Sequence, residues 1–151
     1  MPDAVKLRGH HLLCMLTYVG KGYTQTFIDQ FDMLMGRMNA GEQVVLVEGP
    51  DDICASMHGE NGPICASGEH CIKQKAAERD QVAFAAVARA LKIPMNAETT
   101  LRLKAEECAH LRRLFASGDI REACTGCEWH ETCTDIADRG FKDVKLMPPI
   151  Y

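Results

Sequence analysis

Ten residues, Cys124-Thr125-Gly126-Cys127-Glu128-Trp129-His130-Glu131-Thr132-Cys133, set three thiols in one C-x2-C-x5-C array. A C-x2-C pair turns both sulfurs toward one centre, and Gly126 relaxes the backbone where that turn is tight. Cys133 arrives about one turn into the following segment. Three thiolates held this close repel one another, and a cation or cluster removes that cost. The segment therefore either folds around an inorganic centre or leaves three reduced thiols at a surface turn. Trp129 stands where it can shield the centre from water, which tunes a cluster's potential.

A cubane [4Fe-4S] cluster needs four ligands, usually all cysteine. A triad at this spacing plus one distant cysteine is similar to the cluster sites of some iron–sulfur nucleases, over these ten residues only. The carboxylate and lysine motif of such nucleases is not identifiable, so no nuclease activity is carried over. Zinc has a self-contained alternative in Cys124, Cys127, His130 and Cys133, three sulfurs and one nitrogen. The iron–sulfur reading instead asks for an upstream sulfur. Cys14 is one source, four residues after His10 and so on the same helical face, although Cys14 could equally be a small apolar residue at a core edge. His10 and His11 are adjacent and expected to diverge on a helix, so at most one faces the site, and each is more simply a satisfied polar residue. Cys54, Cys65 and Cys71 form a looser C-x10-C-x5-C group with His58 and His70 nearby. Its width makes it unspecific; Cys54 is favoured because it directly follows a predicted strand. Asp51-Asp52 reads as a turn more simply than as an acid–base pair. Cys108 lies on an apolar helical stripe without a cysteine or histidine at i±3 or i±4, and is assigned to the core.

The chain has 151 residues, of which 46% are hydrophobic and 25% charged. That suits a single domain over 1–151 with a core of its own. Eight cysteines are therefore not needed as staples. The first apolar run, Leu12 to Leu16, is too short for a secretory signal or a membrane helix. A cytoplasmic location is expected, where thiols stay reduced and cysteine patterns read as metal-binding or catalytic. A net charge of −4 argues against a nucleic-acid surface. Arg112-Arg113 and Lys73/Lys75 read as solvated helix faces.

Periodicity predicts a mainly α fold with a small β element, an α+β domain of about five helices. A short helix spans 10–19, ended by Gly20 and Gly22. A second starts at Thr26 with a capping box to Asp29 and buries Phe27, Phe31, Leu34, Met35 and Met38. Val44–Val47 reads as a strand. Residues 51–71 have no period and read as a functional or anchored loop. A long helix follows over 72–91, stopped by Pro94. Asn96 caps a further helix to about Ala116, and a short helix covers 131–137 before an extended tail.

The strings Arg8-Gly9-His10-His11-Leu12-Leu13-Cys14, Gly20-Lys21-Gly22-Tyr23 and Val47-Glu48-Gly49-Pro50-Asp51-Asp52-Ile53-Cys54, with the terminal C-x2-C-x-W array, resemble a prokaryotic family of unknown function, DUF1284. The resemblance implies iron–sulfur binding and supplies no reaction. Many members carry a second cysteine three residues after the position of Cys54, where this chain has Met57. Cys65 or Cys71 would then substitute for that second cysteine in the 54–71 loop. Three functions are open: a cluster protein in electron transfer or sensing with an unknown redox partner, a zinc-stabilised interaction module, and a thiol enzyme with Cys14 as nucleophile activated by a nearby histidine.

Overall fold

The computed structural model describes residues 4–21, 25–48, 51–53, 58–59, 62–65, 74–122 and 130–149. The chain starts with a strand that periodicity did not predict, β1 (Val5–Leu7), buried at both apolar ends. Helix α1 (His11–Thr17) and helix α2 (Gln25–Asn39) follow, then β2 (Val44–Leu46). β1 and β2 pair in parallel, Val5 opposite Val44 and Leu7 opposite Leu46. Parallel neighbours need a long crossover, and the two helices supply it.

The loop expected over 51–71 contains a two-stranded antiparallel hairpin, β3 (His58–Gly59) and β4 (Gly62–Cys65). Strands this short are too brief to show a period in the sequence. After it comes α3 (Gln74–Leu91), then β5 (Thr100–Leu101), α4 (Ala105–Ser117) and α5 (His130–Asp138). The helix expected from Asn96 therefore begins nine residues later. Asn96 instead closes a turn with Thr99, and Thr100-Leu101, which follow, join β2 antiparallel, Val45 opposite Thr100. Sheet pairing overrides helix propensity here. Thr26 likewise lies inside α2, not at its cap, and the Gln25 amide bonds Asp29.

Helix α2 buries Phe27, Phe31, Leu34, Met35 and Met38, the stripe its sequence predicts. α4 ends at Gly118 with φ +89, and its cap N–H groups return to Leu114 and Phe115, as a left-handed glycine cap allows. Helix α1 is central: it packs against α3, α4 and α5 and is almost wholly buried. Arg112 of α4 is not a solvated face. Its guanidinium donates to the carbonyls of Leu16 and Leu146 and lies 5.7 Å from the Phe141 ring, tying the end of α1 to the tail. Among the described residues no helix is long and apolar enough to cross a membrane.

Candidate functional site

Two groups of polar side chains meet around α1. The first explains the whole Arg8–His11 turn, and it is built on two buried aspartates. Asp80 of α3 is 2% exposed and Asp51, after β2, 5%. Asp80 receives Arg8 Nε at 2.9 Å, the His10 backbone N–H at 3.0 Å and His10 Nδ1 at 2.7 Å. Asp51 receives the Arg8 backbone N–H at 2.8 Å and His11 Nδ1 at 2.7 Å. Asp52 accepts the N–H of Lys6 and returns its own N–H to the Lys6 carbonyl, which extends the β1 pairing past β2. The Asp51-Asp52 turn is thus an anchor for β1 and the start of α1.

Gly9 is forced by the same packing. A Cβ there would lie 2.2 Å from the Asp80 carbonyl oxygen, so only glycine lets α3 approach this turn. Arg8 itself is 1% exposed, and its charge is matched by Asp80. Burying a guanidinium without a carboxylate would be strongly unfavourable.

The two imidazoles do not diverge as a regular helix predicts. Their centroids are 4.5 Å apart in an edge-to-face contact, because Asp80 and Asp51 hold them from different sides. His10 caps α1 with helical backbone angles, φ −69 and ψ −21, so the rings are drawn together by their carboxylates and not by an unwound backbone. A carboxylate only accepts, so each Nδ1 carries the proton in these bonds. Burial, with the neighbouring charges of His11 and Arg8 adding, lowers the His10 pKa to about 4 against the pull of Asp80. At neutral pH its ring is uncharged. For Asp80, burial works upward, but its bonds to His10 and the charge of Arg8 outweigh it and leave the pKa lowered.

The second group joins α1 to α5. Thr17 Oγ1 is 3.2 Å from Cys133 Sγ and 3.3 Å from the carbonyl oxygen of Cys14, and its one proton is within reach of either acceptor. Cys14 and Thr17 are three apart, so they share a helix face. Both Cys14 and Cys133 are half-buried. The last sulfur of the C-terminal array thus stands on the face of α1 that carries Cys14. Its other members, Cys124 and Cys127, lie outside the described residues, as do Cys54, Cys71 and His70. Cys65 ends β4, opposite His58, and His130 is the first residue of α5. Cys108 is 1% exposed in the core, where burial pushes its thiol pKa up and keeps it protonated. That is the expected core position. Among the described residues, no three His, Cys, Asp or Glu side chains form a ready metal-binding group.

Asp80 was not singled out by sequence, although a signal exists. It falls in register with Ala83, Phe84 and Val87, the buried stripe of α3. A carboxylate on an apolar stripe must have a buried partner.

Fold and site together define a small α+β protein whose N-terminal histidine turn is clamped by buried carboxylates and whose C-terminal cysteine helix docks beside it. The chain belongs to the family described as Protein of unknown function (DUF1284), whose profile matches residues 22–133. The matched stretch takes in Asp51, Asp80 and every cysteine except Cys14, and begins after the Arg8–Cys14 turn. No curated protein and no solved structure matches the chain.

Proposed function

We propose that the protein binds an iron–sulfur cluster through Cys124, Cys127 and Cys133, with Cys14 as the fourth, upstream ligand, and serves in electron transfer or sensing. The observation that carries this reading is the contact of Thr17 with Cys133. Residues 116 positions apart in sequence meet there, on the helix face that also carries Cys14. Of the upstream cysteines considered, Cys14 has this support; Cys54, Cys65 and Cys71 have none from the described contacts. The half-buried setting of both sulfurs suits a cluster shielded from solvent. A hydroxyl donating to a ligand sulfur is also a means by which proteins raise a cluster's potential. The cluster, when bound, would supply one-electron redox chemistry. Thr17 would tune it, and the apolar face of α1 would limit access of water.

Anaerobic purification tests the proposal. Brown protein with absorption near ~400 nm that bleaches on reduction, and with iron and acid-labile sulfide, is expected, since zinc has no redox states. Cys127→Ser and Cys14→Ser should each lose iron, whereas Cys108→Ala should keep its full content. Colourless protein carrying zinc on the C-terminal cysteines would replace the proposal with the zinc-stabilised module. Equal metal loss in the Cys108 and Cys127 variants would overturn the division between core and ligand sulfurs.

A further inference from the structure

A half-buried cation beside α1 is held without an opposite charge. Arg8, Arg37, Arg89 and Arg139 each meet a carboxylate. Arg112 of α4 instead donates to the carbonyls of Leu16 and Leu146, at 3.1 and 2.8 Å, under the Phe141 ring. Among the described residues no carboxylate reaches it, and burial pushes its guanidinium below the ordinary value. Cys108, which faces it, is kept protonated by its own burial. Carbonyl dipoles offset the charge only in part. A helix end supplies about half a charge at best, and α1 is seven residues long. A guanidinium taken out of water in this way calls for an anion nearby.

The sulfurs stand on that side of Arg112. Leu16 and Thr17 are neighbours in the last turn of α1. Leu16 accepts from Arg112 Nε, and Thr17 Oγ1 lies 3.2 Å from Cys133 Sγ. The two contacts and the covalent reach between them put Arg112 Nε within ~12 Å of that sulfur. Helices α1, α4 and α5 pack pairwise around the point. Phe141, which covers the guanidinium, also packs on buried Phe115, and this limits screening by solvent.

Metal-bound thiolates carry the missing charge. Zinc held by three cysteines and a histidine keeps one net negative charge. An oxidised [4Fe-4S] core held by four cysteines keeps two, and reduction by one electron adds a third.

We infer that Arg112 is the counter-charge of the cysteine centre, acting across Leu16 and Thr17 to favour its more negative state. The inference rests on the sulfur-bound metal proposed above and holds for either metal. A unit charge at ~12 Å, with an effective dielectric of ~20, shifts an equilibrium about tenfold. For a one-electron couple, tenfold corresponds to ~59 mV.

The test uses the full-length chain purified without oxygen, with Arg112→Gln, Arg112→Lys and, as control, Arg113→Gln at an exposed position. Lysine keeps the charge and loses the planar fork, whereas glutamine keeps a donor and loses the charge. At equal iron per chain, the midpoint potential should fall by ~59 mV in Arg112→Gln and stay near wild type in the other two. A purely structural role would weaken both Arg112 variants in urea and leave both potentials in place, and that result would overturn the inference. If Arg112→Gln is misfolded by circular dichroism, the wild type decides by ¹⁵N NMR. Its Arg112 Nε resonance should move when a chelator removes the metal, while that of Arg113 stays; an unmoved Arg112 resonance refutes the pairing. Colourless, zinc-loaded protein would remove the cluster reading alone. Zinc transfer to a chelator should then be about tenfold faster in Arg112→Gln than in Arg112→Lys, and equal rates would reject the counter-charge. Protein that holds neither metal would end both readings.

Discussion

Asp80→Ala is the substitution with the largest expected consequence for the fold. The carboxylate accepts from Arg8 Nε, from the His10 backbone N–H and from His10 Nδ1. Removing it leaves a guanidinium that is 1% exposed without its counter-charge, and two donors of the His10 turn without their acceptor. Three bonds to a charged group at ~1.5–3 kcal/mol each would sum to about 4.5–9 kcal/mol, but neighbouring contributions are not additive. Breaking a buried pair by removing one partner costs about 3–5 kcal/mol, and that is the figure expected here. Against a total stability of ~5–15 kcal/mol it is a large share. For a chain of this length it corresponds to a fall in Tm of roughly 6–20 °C. Urea unfolding followed by far-ultraviolet circular dichroism measures it. Asp52→Ala is the control, because that carboxylate accepts one backbone N–H at an exposed position; its cost should stay below about 1.5 kcal/mol. If Asp80→Ala unfolds within about 1 kcal/mol of the wild type, the buried Arg8–Asp80–His10 network does not hold α1 to α3.

Three further outcomes are expected. The His10 pKa is about 4 in the folded protein against 6.5 in the unfolded chain, so the unfolded state binds the extra proton between these values. Stability should be full above pH 6.5 and decline by at most about 3 kcal/mol as pH falls toward 4, with His10→Gln flattening the slope measured by urea titration at several pH values. Asp80, also lowered, should add a further loss at still lower pH, below the ordinary carboxylate range. Gly9→Ala should destabilise by several kcal/mol or displace α3, since its Cβ would meet backbone at 2.2 Å; a thermal melt unchanged from wild type would contradict the close approach. Arg112→Met should cost about 1–3 kcal/mol by leaving the Leu16 and Leu146 carbonyls unsatisfied while keeping most of the side chain's bulk, and a cost near zero in urea would show that water replaces the guanidinium.

The periodic parts of the chain were readable in advance. α2 and its buried stripe, the strand at Val44, the long helix before Pro94 and the core position of Cys108 follow from spacing and from breakers, which act locally. β1 and β5 were not readable, because strands of two or three residues exist only through their pairing with β2. Arg112 was misread for a similar reason: its partners are carbonyls from Leu16 and Leu146, far away in sequence.

The candidate site divides along the same line. The composition and the C-x2-C-x5-C spacing by themselves mark the C-terminal segment as a place where sulfurs gather, since ligand chemistry is written in neighbouring residues. That Cys133 meets Thr17, and that His10 and His11 lie side by side instead of diverging, was decided by tertiary contacts. Asp51 and Asp80 stand 40 and 70 residues from the rings they hold. Only packing brings them there: a buried charge must find a partner wherever the fold places one, and local sequence does not encode that distance.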